Sequence, residues 1–237
     1  MEPLKDFINQ NSNTQIGFDA GLRGFMLKVY NYMAMALGLS GVVAYGASTS
    51  DAVMQTIFGS PLAYVVMLAP LGFILFLGFR INKMSAQAAQ TTFWAFAVVM
   101  GLSLSTIFLV YTGASIAKTF FISATMFGGM SLYGYTTKRD LTGMGNFLIM
   151  GAWGIFIAMI VNLFMQSSAM SFVISALAVV IFTGLTAYDT QKLKQIYYSV
   201  SGSAELAGKA AIMGALNLYL DFINIFIHLL RFVGERR

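Results

Sequence analysis

The sequence predicts an all-α, polytopic membrane protein of seven transmembrane helices, with the last helix wrapped by the others. Three observations predict it. The 237 residues are 58% hydrophobic and only 10% charged, whereas soluble domains carry about 25% charge. Seven apolar stretches recur along the chain, most of them near the ~20 residues that a spanning helix needs. In the last stretch Asn217, Asp221, Asn224, His228 and Arg231 are spaced 4, 3, 4 and 3 residues apart, which places them on one face of a helix. That face rises roughly 21 Å, most of a ~30 Å hydrocarbon core. Such groups are costly against lipid and normally face a bundle interior or a water-filled path.

Residues 1–24 are polar, carry both charge signs and read as an N-terminal tail. They do not have the basic-then-apolar order of a cleaved signal peptide, so the first span would serve as the insertion signal. The first apolar segment runs from Phe25 to Ala47, the second from Pro61 to Arg80, the third from Phe93 to Tyr111 and the fourth from Lys118 to Tyr135. The fifth covers Gly145 to Met165 and is joined by only Gln166 to Ala169 to the sixth, so the two form a helical hairpin. The sixth runs from Met170 to Tyr188 and continues as helix to about Tyr198, because nothing in that extension breaks a helix. After the loop Ser199 to Ser203, the striped helix closes a membrane domain of 25–233, followed by a short tail, 234–237. Ala34/Gly38 and Gly154/Ala158 have the small-residue spacing that allows helices to approach closely in lipid. The connections are too short for a soluble catalytic domain, and no internal repeat supports an inverted-repeat transporter.

Cysteine is absent, which excludes disulfides and thiolate chemistry. A net charge of +5 would suggest nucleic acid in a soluble protein, but here the basic residues sit at segment ends and report topology instead. With the N-terminus in the cytoplasm, Lys5, Arg23, Lys28, Arg80, Lys83, Lys138, Arg139, Lys192, Lys194 and Lys209 all lie inside. Lys118 lies outside, and Arg231, Arg236 and Arg237 join it if the last helix spans. A re-entrant last helix would return those arginines to the cytoplasm. The unbroken stripe favours spanning.

Two acidic residues stand apart from the loops: Asp189 near the end of the sixth helix and Asp221 inside the seventh. Counted from the shared loop, their depths agree to within about one turn. Two carboxylates close together in a poorly solvated site cannot both ionise cheaply, and they titrate as a unit. The pair would act as a proton-sensitive latch, and its oxygens would also suit a hard cation such as calcium. Arg80, on the same side, could pair with one aspartate. The plainer readings are a solvated helix end for Asp189, a structural salt bridge for Asp221 and a topological anchor for Arg80. His228 is the only histidine and reads first as a packing residue. Asn217 and Asn224 read as interhelical hydrogen-bond donors lining the same seam.

The stretch from Leu218 through Asp221-Phe222-Ile223-Asn224 to His228-Leu229-Leu230-Arg231 resembles the C-terminal signature of the Bax inhibitor-1 family. Ala187-Tyr188-Asp189-Thr190-Gln191 resembles the family's other signature. The resemblance covers the chain after about Gly17. Together with the missing cysteine and missing endoplasmic-reticulum retrieval signal, it indicates a bacterial member in the inner membrane. It implies six helices around the seventh and a pH-sensitive calcium leak, with calcium as the transported ion and no cofactor. By motif match, Asp189 and Asp221 are the implied pH sensor near the cytoplasmic mouth, and Arg80 is the implied basic gate residue. Nothing carries over to His228.

Three other functions compete. An intramembrane aspartyl protease would use Tyr188-Asp189, but its second aspartate belongs in Gly-x-Gly-Asp, and here Leu218-Tyr219-Leu220 precedes Asp221. The chain is therefore expected not to be an enzyme. A regulator of a membrane quality-control protease would use the N-terminal tail as its contact. A proton-coupled cation exchanger could use the same polar stripe.

Overall fold

Nine α-helices and one 3-10 turn build the protein among the residues that its computed structural model describes, 2–237, with side chains described from Ala20 onward. They are α1 (Glu2–Ser48), α2 (Asp51–Phe58), α3 (Leu62–Arg80), the 3-10 turn (Ile81–Lys83), α4 (Ala86–Leu104) and α5 (Ile107–Val110). Then follow α6 (Gly113–Thr136), α7 (Thr142–Met165), α8 (Ser168–Val200) and α9 (Ala204–Val233). The expected N-terminal tail, 1–24, lies outside the described side chains up to residue 19.

Six helices are long and apolar enough to cross a membrane, among them α1 from Ala20, α7, α8 and α9. The expectation of seven adds α6, which is 24 residues long but less apolar. Its buried line Ser115, Thr119, Ser123 and Ser131 faces inward, while Phe121 and Leu132 face outward.

α9 is the axis. Its most apolar window is 67% buried, against 11 to 28% for the other candidate spans. The enclosure is unequal: α1, α4, α6 and α8 form its main wall, while α3 packs chiefly on α4 and α7 on α8. Tyr219, fully buried on α9, ties this wall together. Ser40 of α1 donates its one hydroxyl hydrogen to the carbonyl of Ala97 on α4, 2.7 Å. Tyr219 therefore donates to Ser40, also at 2.7 Å. Its ring meets Phe96 edge-on, with centroids 5.3 Å apart.

Glycine brings the backbones together, though not at the expected pairs. Gly38 and Gly154 face outward, and a Cβ on either would meet nothing within 4 Å. Spacing identifies a small-residue face but not the face that meets a neighbour. Gly101 instead admits α1, where a Cβ would come within 2.7 Å of the Ser40 carbonyl oxygen. Gly134 admits the backbone of Ala187, joining α6 to α8 beside Asp189.

Three local features depart from the apolar-segment reading. α2 is a short capped helix held by Ser50, whose Oγ accepts from the Val53 amide. The third segment begins earlier, at Ala86, and breaks at Ser105. The Ser105 hydroxyl donates to the Leu102 carbonyl at 2.7 Å, a local bond that competes with the helical ladder. The α7–α8 hairpin needs only Gln166 and Ser167. Gln166 takes a left-handed conformation, φ 50°, of the kind that terminates helices, and Ser167 caps α8.

α9 runs unbroken to Val233 and carries the C-terminus to the face opposite the α8–α9 loop, with no re-entry. The tail is not free there. Thr112 N–H donates to Glu235 O at 3.1 Å, Arg237 N–H to Val110 O at 3.0 Å, and Glu235 N–H to Ser115 Oγ at 3.0 Å. The two ends of the bundle are called below the loop face and the tail face.

Candidate functional site

α8 and α9 form the most extensive helix pair in the bundle. The sequence makes it so. α8 is uninterrupted through Asp189 to Val200, Ser203 caps α9 by accepting from the Leu206 amide, and Gly214 lets Leu193 close against α9. Glu205 fixes the start of α9 by accepting from the Ala86 amide of α4 at 2.7 Å.

This pairing brings Asp189 and Asp221 within electrostatic range of each other. Asp221 is 4% exposed, and its Oδ2 has no hydrogen-bond partner among the described residues. Asp189 is half-buried. Its near cation is Lys192, one turn further along α8, whose ammonium lies 5.6 Å from the Tyr188 ring centroid. A buried carboxylate oxygen without a partner is rare in a folded protein, and a second carboxylate beside it makes the ionisation of each depend on the other.

Hydroxyls adjoin the pair. Thr190, next to Asp189, is bonded through its Oγ1 to Ser131 Oγ at 3.0 Å, and Ser131 is bonded to the Tyr30 hydroxyl. This chain from α8 through α6 to α1 was not expected from the sequence, nor was Lys192 as the cation beside Asp189. The i, i+3 spacing of Asp189 and Lys192 was the available signal for the latter. The Tyr30–Ser131 contact joins residues on helices far apart in sequence and left no such signal.

The other expected site residues lie elsewhere. Arg80 is exposed at the end of α3 and makes no ion pair among the described residues. Asn217 is half-buried on α9. Asn224 turns back on its own helix, donating Nδ2 to the Leu220 carbonyl at 2.8 Å, not across to a neighbour. His228 is 2% exposed, and its Nδ1 lies 3.4 Å from Ser175 Oγ on α8. The stripe is thus one face of α9 with different partners at each level. Among the described residues no group of three or more acidic or histidine side chains gathers as a metal site.

An all-helical bundle packed around α9, with one buried and one half-buried carboxyl on its last two helices, defines the class: an integral membrane protein with polar groups in its interior. Within that class the chain belongs to the Bax inhibitor-1 family. The family model described as inhibitor of apoptosis-promoting Bax1 matches residues 22–237. An uncharacterised protein of Rickettsia prowazekii is 50% identical over 220 residues, 93% of each chain. The inner membrane protein YbhL of Escherichia coli is 46% identical, over 92% of this chain and 94% of its own. An uncharacterised membrane protein of Streptococcus pyogenes is 34% identical, over 92% and 95%.

Proposed function

We propose that this protein is a proton-sensitive calcium leak of a bacterial inner membrane, gated by the ionisation of Asp189 and Asp221. The observation that carries the reading is the enclosed Asp221 oxygen without a partner, within electrostatic range of a second carboxyl. Ionised, the pair repels itself and attracts cations; protonated, it does neither. A set of only two carboxylates suits calcium as a passing ion, since a resident calcium takes six to eight oxygens. Similarity to YbhL, named an inner membrane protein, supports the location. From Ala20 onward, nine basic residues lie towards the loop face against four towards the tail face, which supports a cytoplasmic N-terminus.

Lys192 acts on Asp189 in this arrangement, and Arg80 would join it only if α3 moved. No proteolytic role is proposed, because Leu218-Tyr219-Leu220 continues α9 up to Asp221 without opening the backbone. The test is calcium flux in proteoliposomes across pH for wild type, Asp189→Asn and Asp221→Asn. The proposal expects a pH-dependent flux whose pH dependence either substitution flattens. Flux absent at every pH, or unchanged by both substitutions, sinks it.

A further inference from the structure

At the tail face, a cavity of ≈ 430 Å³ opens between the start of α8, the end of α9 and the C-terminal tail, lined by Arg231, Arg236, Tyr111, Ser168, Ser171 and Ser175. We propose that this cavity binds a phosphate group, carried either by an anionic lipid headgroup or by a soluble phosphate.

Two guanidiniums share the cavity, and neither has an ion pair among the described residues; the one salt bridge, Lys209–Glu205, lies at the opposite face. Glu235 is exposed and pairs with neither arginine. Arg231 alone would have an ordinary explanation, because a cation in the last turn of α9 complements the helix dipole. Arg236 would not. It is held over the same cavity by the two backbone bonds, through Glu235 and Arg237, that set it antiparallel to Tyr111. The fold thus orders a tail and brings a second guanidinium beside the first, an arrangement that repels itself until an anion fills it. Planar guanidinium forks match the oxygens of phosphate.

The remaining lining is donor-rich. Ser171 Oγ accepts from Asn162 Nδ2 at 2.7 Å, which leaves its own hydrogen to donate. Ser175 is 3% exposed and sits at the cavity floor against His228. Ser168 opens the 33-residue α8, whose first amides add a positive end to the same space. Beside the arginines, the rings of Phe172 and Phe232 stack with centroids 4.7 Å apart and are exposed. They offer an apolar flank to an acyl chain.

The experiment has two parts. Purified wild type, R231Q/R236Q and R231K/R236K would be compared by native mass spectrometry for retention of phosphatidylglycerol against diacylglycerol, with inorganic phosphate added as competitor. Separately, a photoreactive phosphatidylglycerol would be crosslinked to wild type in vesicles and its labelled peptides mapped. The proposal expects phosphatidylglycerol retention to fall at least tenfold in R231Q/R236Q. Because lysine keeps the charge but not the guanidinium fork, retention in R231K/R236K is expected to lie between wild type and R231Q/R236Q. The proposal also expects label within 168–175 or 231–237. Displacement by millimolar phosphate assigns a soluble ligand, and retention despite it assigns the lipid. Equal retention by wild type and R231Q/R236Q, or label confined to other segments, overturns the proposal. Should R231Q/R236Q fail to fold, the wild-type labelling decides alone.

Discussion

The two ends of the polar face of α9 are opposites. Towards the loop face it presents Asp221, enclosed, with a carboxylate oxygen lacking any partner and a second carboxylate nearby. Towards the tail face it presents His228, equally buried but beside a serine hydroxyl, and then Arg231, open to a cavity shared with Arg236. An unpartnered carboxyl oxygen stands at one level and two guanidiniums without ion pairs at the other. A polar stripe inside a membrane helix is therefore not one functional unit. Each residue's role is set by the helix opposite it, and here α8 supplies an aspartate at one level and serines at the other.

Several substitutions would break or sharpen that contrast. The largest effect is expected from Asp221→Asn, which removes the titratable carboxyl. Calcium flux should lose a pH response of roughly tenfold, equivalent to ~1.4 kcal/mol, as read in proteoliposomes. At the other end R231Q/R236Q should raise calcium flux several-fold at low salt and less at high salt, because two positive charges at a mouth repel an approaching cation. No change in flux would separate the tail-face cavity from the ion path. Gly134→Val should force α6 away from Ala187 at the level of Asp189, costing about 1–3 kcal/mol as overpacking does. It should lower the thermal midpoint in detergent more than Gly154→Val, where a Cβ meets open space.

Lys192→Gln should move the midpoint of the pH–flux curve, with the modest coupling of under about 1 kcal/mol typical of an exposed partner. Arg80→Gln should leave that midpoint in place. The reverse result would mean that α3 moves to the pair when the path closes. The smallest effect is expected outside the bundle, at Asp140. The hydroxyl and amide of Thr142 hold its carboxyl below its ordinary value of 3.8. A depressed carboxylate adds stability above its unfolded value and loses it as pH falls through the folded one. Thr142→Ala should therefore raise the Asp140 titration, read by NMR, and slightly reduce tolerance to acid without touching flux.

Much of the fold could be read from sequence because lipid imposes simple rules on length and polarity. The continuation of α8 beyond Asp189 and the burial of most of α9 both followed from unbroken helical spacing, and the placing of Asp189 within electrostatic range of Asp221 followed from their depth below one short loop. What failed was knowledge of neighbours. Spacing placed Gly38 and Gly154 on helix faces that turned out to meet nothing, while Gly101 and Gly134 carry the close contacts. Asn224 satisfied its amide within its own helix, an option that composition cannot distinguish from a bond across the bundle. α2 was too short to register as a span. The docking of the tail on Val110 and Thr112 rests on backbone groups, which every residue shares and no side chain announces.

Gating by the pair requires Asp189 and Asp221 to behave as one titrating unit. Infrared difference spectroscopy of the protonated carboxyl band, recorded across pH in lipid for wild type and Asp189→Asn, measures this without recourse to flux. The account predicts that removing the Asp189 carboxylate moves the titration of the remaining buried carboxyl. An identical titration in the two proteins would contradict it.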